Sequence, residues 1–273
     1  MTDLRLDEVA DGATASIGLA SEMLSVATAM DAQYLLRRSL SEPNTDAHRR
    51  EALVDALLGS AVSPQAITLI KSAVALEWPS SEALAQAIRD LAVRVAWRAT
   101  VASGSADSDR VGVLGLVVLA STNRGVAAAL GDATRDASDR QALAVALATD
   151  AGPIPLLMAQ SAVDDQRAGF VDNLSNYLDV LADLRGHRRA RVTTAVPLTS
   201  SQQETLLGEL ARIYGRPIDL EPVVDQQVIG GVRVDADGDV IDGSIKARID
   251  AAREAIAGVT VEAATASEEE EHA

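Results

Sequence analysis

Apolar residues recur at helical spacing from the N-terminus to about Gly186, and beyond Arg191 that spacing gives way to a β-branched pattern. This single change of period limits the chain to a helical body followed by a smaller mixed segment. In the helical part, Ser63-Pro64 sets an N-cap before a proline at the first helical position, and the helix after it, with Ile67 and Ile70, must end before Pro79. Ser80 opens the next helix, whose Leu84, Ile88, Leu91 and Val95 share one face. Phe170, Leu174, Tyr177, Leu178 and Leu181 repeat the spacing and stop at Gly186. Amphipathic helices of this kind hide their stripes only against one another. Six of the 273 residues are aromatic, so the core is expected from alanine, leucine, valine and isoleucine, whose side chains suit closely packed helices.

A repeat runs through this part. At a constant offset of 90 residues, Leu40, Asp46, Ala47, Arg50, Ala52, Leu53, Ala56 and Leu57 match Leu130, Asp136, Ala137, Arg140, Ala142, Leu143, Ala146 and Leu147. Both copies read as a helix end, a polar loop and a new helix. Alanine-rich helices also produce such matches by chance; a true repeat implies a pseudo-symmetric bundle with two related helix pairs.

Beyond Arg191, Val192 to Leu198 is β-branched and closes with proline, which predicts a strand. Ser201 with Glu204 reads as a capping box, Leu206, Leu207, Leu210 and Ile213 supply an apolar helix face, and Gly215 with Pro217 ends it. Ile218 to Val224 is a further strand. Val232 and Val234 alternate with Arg233, Asp237-Gly238 accepts the positive φ of a tight turn, and Val240-Ile241 resumes, which together predict a β-hairpin. A last helix from Ser244 carries Ile245, Ile249, Ala252 and Ile256 on one face. The expected class is α+β overall. An N-terminal all-α helical bundle of about six core helices spans 1–190, a small C-terminal α+β domain with a β-hairpin spans 191–259, and 260–273 is an acidic disordered tail ending in Glu268 to Glu271.

Several functions are excluded. A net charge of -16 repels phosphate backbones and anionic lipid surfaces, so no nucleic-acid partner is expected. The basic run from Arg185 to Arg191 reads as a solvated link between two elements, with docking of an acidic partner as the alternative. The absence of cysteine removes disulfides, thiolate metal sites and cysteine nucleophiles. The acidic start lacks an apolar signal core, and the longest apolar run, Val111 to Ala120, falls short of the roughly 20 residues of a spanning helix. No direct membrane insertion is expected. Phosphate-loop, dinucleotide, nucleophile-elbow and H-E-x-x-H motifs are all missing, and His48, His187 and His272 lack ligand spacing. Asp235, Asp237 and Asp239 do not make a calcium loop, which needs its glycine one place later and a glutamate at the twelfth position. Asp164-Asp165 reads as a cap or a solvated corner. No catalytic residue, cofactor site or metal site is expected.

Gly230-Gly231 admits either close approach of another backbone or a turn where a strand begins, and Asp242-Gly243-Ser244 lets the chain reverse and cap the next helix. In order and spacing, Val192 to Leu198, Ser201 to Glu204, Gly215-Arg216-Pro217, Val224-Asp225, Ile229-Gly230-Gly231 and Val240-Ile241-Asp242-Gly243-Ser244 resemble the delta subunit of F-type ATP synthases, the bacterial counterpart of the oligomycin-sensitivity-conferring protein. The resemblance covers Phe170 through Ile256; earlier, Leu40-Ser41-Glu42-Pro43, Ala52-Leu53 and Val62-Ser63-Pro64 look like the family's pattern, while Val101 to Asp150 carries little of it. It implies a non-catalytic stator subunit of the peripheral stalk. The bundle would grip N-terminal helices of alpha subunits, and the C-terminal domain would hold the C-terminal end of the b subunit. The protein would then be peripheral at the cytoplasmic face of the membrane. Gly230, Gly231, Asp242, Gly243 and Ser244 would be the family-signature structural residues. A helical adaptor of an unrelated complex is the alternative.

Overall fold

The structure, a computed structural model, describes residues 8–10, 12–132, 134–165, 168–225, 230–236 and 239–245. The Asp237-Gly238 turn, the expected last helix beyond Ile245, and the acidic tail with His272 lie outside the described residues. Two compact units are present, residues 1–184 and 185–273.

Ten helices of eight residues or more are described in the first unit: α1 (Ile17–Ala32), α2 (Tyr34–Ser41), α3 (Ala47–Leu58), α4 (Pro64–Val74), α5 (Ser81–Ser103), α6 (Ala106–Thr122), α7 (Arg124–Gly131), α8 (Ala137–Ala148), α9 (Pro153–Asp164) and α10 (Phe170–Leu184). Ser63 and Ser80 cap α4 and α5 as their sequence positions require, accepting from the backbone N–H of Ala66 and Ala83. The ten exceed the expected number of core helices, and two of the extra segments arise where a single residue breaks a long stripe, Gln33 between α1 and α2 and Asn123 between α6 and α7. The Asn123 side chain accepts from the N–H of Gly125 at 3.1 Å, which starts a new helix at 101° to the old one. Among the described residues no single helix is long and apolar enough to cross a membrane.

The 90-residue offset extends across the whole unit. α2 and α3 recur residue for residue as α7 and α8; α1, α4 and α5 recur as α6, α9 and α10 with each start shifted by one residue, the first two pairs ending at equivalent positions and α5 running further than α10. Packing repeats too: α1 lies against α4 and α5 as α6 lies against α9 and α10. Leu40 and Leu130 are buried alike, and so are Arg50 and Arg140. Each arginine sends its guanidinium to a carbonyl at the end of the following helix, Arg50 to Val74 O at 3.1 Å and Arg140 to Val163 O at 3.4 Å, where the helix dipole favours a cation. The first unit is thus two copies of a five-helix repeat sharing one continuous apolar core.

A buried polar network joins the copies. Arg89 on α5 is fully buried; its Nη2 donates to Asp31 Oδ2 on α1 at 2.6 Å and its Nη1 to Ser161 Oγ on α9 at 3.1 Å. Its Nε faces Asp165 Oδ2 at 3.6 Å. Asp165 ends α9 as a cap residue, but it is buried and paired instead of sitting at a solvated corner. Tyr177 on α10 bonds Ser161 Oγ through its hydroxyl at 3.0 Å, and its carbonyl accepts from Trp97 Nε1 at 2.7 Å.

In the second unit the sheet order is β2-β1-β3-β4, from β1 (Arg188–Thr194), β2 (Ile218–Val224), β3 (Val232–Ala236) and β4 (Asp239–Asp242), with α11 (Ser200–Tyr214) between β1 and β2. β1 runs parallel to β2 and antiparallel to β3, and β3–β4 is the expected hairpin. Ala190, Val192, Leu220 and Val234 form one face with Leu206, Leu207 and Leu210 of α11. Two sequence expectations are corrected. The capping box is Thr199 with Gln202, so α11 begins earlier than Ser201 allows. The basic run is no solvated link, because β1 starts at Arg188, four residues before the β-branched stretch. Arg189 lies 3.1 Å and Arg191 3.5 Å from Glu221, and His187 Nδ1 is 2.9 Å from Asp219 Oδ1. In-register carboxylates on β2 neutralise a strand whose own sequence looks too charged to be one.

Replacing Arg89 with Met removes the buried guanidinium that Asp31 and Asp165 both face, and chemical denaturation is expected to show a loss of about 3–5 kcal/mol. Burial pushes the Tyr177 phenol up from 10.0 to about 12. A folded-state pKa above the unfolded one gives stability that is complete below pH 10.0 and is lost as pH rises through about 12. An ultraviolet phenolate titration should therefore contain a step at about 12 that Tyr177→Phe removes.

Candidate docking surfaces

From Val111 to Ala120, α6 is apolar on every side. Val113, Leu116, Val117 and Ala120 enter the core, yet Val111, Val118 and Leu119 on the other side are 60%, 40% and 42% exposed. Between them Gly115 has only open space where a side chain would stand. A helix apolar all round is expected to be covered all round, and full burial of each valine would yield at most about 1.5 kcal/mol. The sequence held the signal in the run Val111 to Ala120, which length alone had set aside as too short for a membrane.

The second unit holds an apolar cleft of about 620 Å³ between the β1–α11 link, α11 and the start of β3, lined among others by Val196, Pro197, Leu198, Leu206 and Val232. Val196 is 68% exposed at its rim. Gly230, Gly231 and Gly243 form the far wall. Gly230 (φ 140°) and Gly231 (φ 85°) both adopt positive φ, where L side chains are strained. A Cβ on Gly231 would stand 2.5 Å from Gly243 O and 2.8 Å from Ser244 Cα. The two segments cross there: Gly243 N–H donates to Val232 O at 2.9 Å and Ile245 N–H to Gly230 O at 3.0 Å. Asp242 Oδ1 accepts from Ser244 N–H at 2.9 Å and closes the reversal. Both sequence readings of the glycine pair therefore hold at once, a positive-φ turn and a close backbone approach, and the approaching backbone is the chain's own.

The remaining candidates disperse. His48 is exposed beside Glu51, and Asp164 accepts from Thr28 Oγ1 at 3.0 Å. Among the described residues no group of three or more His, Cys, Asp or Glu side chains is placed to hold a metal ion.

Exposed apolar surface of the kind present on both units is what marks contact surfaces for other polypeptides. The family described as "ATP synthase delta (OSCP) subunit" matches residues 98–256, the second repeat and the sheet unit. Proteins called "ATP synthase subunit delta" are similar over nearly the whole chain: that of Cutibacterium acnes is 34% identical over 91% of this chain and 95% of its own length. The Nocardioides protein is 33% identical over 88% and 87%, and that of Streptomyces avermitilis 32% over 93% and 94%. The chain belongs to the ATP synthase delta (OSCP) subunit family.

Gly231→Ala places a Cβ against backbone at a positive φ, and thermal or urea unfolding of the sheet unit should show a loss of about 2–3 kcal/mol.

Proposed function

We propose that this chain is a non-catalytic stator subunit in the peripheral stalk of an F-type ATP synthase, peripheral to the membrane on its cytoplasmic face. In this reading the helical unit takes the N-terminal helix of an alpha subunit and the sheet unit takes the C-terminal end of the b subunit. The observation that carries it is the presence, in a member of this family, of uncovered apolar surface on each of two separate units. A stator must bind the catalytic head and the stalk at the same time, and two independent surfaces meet that demand. A bare apolar helix face suits an amphipathic helix with anchors at i, i+3, i+4 and i+7. An attachment that resists rotor torque must dissociate slowly, which calls for nanomolar affinity, about -12 kcal/mol. Gly230, Gly231, Asp242, Gly243 and Ser244 serve in this reading to hold the wall of the cleft and make no contact of their own.

The test is capture of partners by the full-length chain. The wild-type protein should retain both alpha and b subunits from a cognate extract, and Val196→Asp at the exposed rim should weaken b at least tenfold while alpha is kept. Retention of neither subunit by the wild type, or coupling of proton flow to ATP synthesis that survives deletion of the chain, would end the reading.

A further inference from the structure

Ile245 is the last described residue, and it sits against the glycine wall of the sheet unit's cleft. Its N–H donates to Gly230 O at 3.0 Å, and its Cδ1 would stand 2.8 Å from a Cβ placed on Gly230, which itself lines the cleft. Ile245 is also the first helical residue after β4, with the Asp242–Ser244 reversal just before it. Residues 246–258 therefore set out from the wall of the cleft. Ile249, four residues on, is within at most about 14 Å of Ile245 along an extended chain and about 6 Å along a helix.

Ile245, Ile249, Ala252 and Ile256 share one helical face, and an apolar stripe of this kind needs a seat. The two sides of the sheet offer very different ones. The face away from α11 sets Arg189, Arg191 and Arg233 among Asp219, Glu221 and Asp235, with Glu221 at 3.1 Å from Arg189 and 3.5 Å from Arg191. Isoleucines laid on that ladder would desolvate its ions without giving any of them a partner. On the α11 side, the cleft of about 620 Å³ presents Val196, Pro197, Leu198 and Leu206, and Val196 is 68% exposed. Apolar surface there gains from being covered.

We infer that residues 246–258 of the chain itself dock in this cleft, bringing Ile249 against Val196, so that a partner of the sheet unit enters by displacing them. The docking is a property of the chain alone, and the inference rests on the stator reading only for the identity of that partner. A cleft open for part of the time lowers the apparent affinity for the incoming segment by that fraction. The chain's own segment thereby sets the threshold for attachment at this site.

The chain has no cysteine, so an introduced pair is the sole source of a disulfide. In the full-length chain, Val196→Cys with Ile249→Cys should close within the molecule on oxidation by diamide, read as a crosslinked peptide by mass spectrometry. Arg233→Cys with Ile249→Cys, whose first thiol stands on the charged face, should stay open. Failure of the Val196 pair to close, or equal closure of both pairs, would overturn the inference and leave the stator reading standing. Calorimetry with a peptide copying the C-terminal end of the cognate b subunit supplies the second measurement. The full-length double variant Ile249→Glu, Ile256→Glu should bind it about fivefold more tightly than wild type, the gain from an emptied cleft. Equal affinity of the two would overturn displacement, whereas binding by neither, with the Val196 pair closed, would overturn the stator reading and uphold the docking.

Discussion

A guanidinium without access to water holds the helical unit in one arrangement. Removing a cation from solvent costs several kcal/mol even after the surroundings relax, so Arg89 is tolerable only where carboxylates and hydroxyls converge on it. Asp31 comes from α1, Asp165 and Ser161 come from the end of α9, and Tyr177 completes the shell from α10. Apolar burial attracts without direction, whereas this constellation works in one relative placement of the two repeats. It fixes α9 against α1.

The two repeats share a small set of structural features. Element boundaries, the Asp46 and Asp136 caps, the buried Leu40 and Leu130, and the Arg50 and Arg140 guanidiniums at helix ends recur. Those features build a five-helix unit, and either copy needs them whatever it touches. Surface composition diverges: Ser21, Ser25 and Thr28 in one copy, Val111, Gly115 and Val118 in the other.

Local signals carried most of the architecture. Ser63-Pro64, Ser80, Gly215 and the Val232–Val234 alternation act through their own backbone, and the structure places caps, ends and a hairpin where they stand. What the sequence concealed depends on distant partners. Arg188 to Arg191 is a strand because Asp219 and Glu221, some thirty residues on, lie beside it in register. Asp165 is buried because Arg89, far earlier in the chain, is buried with it. The glycine crossing was visible as five residues of one signature, but not that they meet, since nothing in Gly230-Gly231 alone names Gly243 as the backbone it must admit. The open face of α6 was legible only as apolarity around whole helix turns.

In the proposed role the two docking surfaces must pass force to each other through the chain, and each is built where force would enter a packed interior. The exposed stripe of α6 has its reverse side, Val113, Leu116, Val117 and Ala120, in the shared core of both repeats. The cleft of the sheet unit has as its wall two backbone segments joined by hydrogen bonds at a distance that excludes even a methyl group. Close-packed interiors have low compressibility and transmit strain, whereas a surface mounted on a loop would yield first. The glycines and the buried arginine therefore serve the same physical end. One removes the side chains that would hold two backbones apart, and the other removes the freedom of two helical repeats to slide.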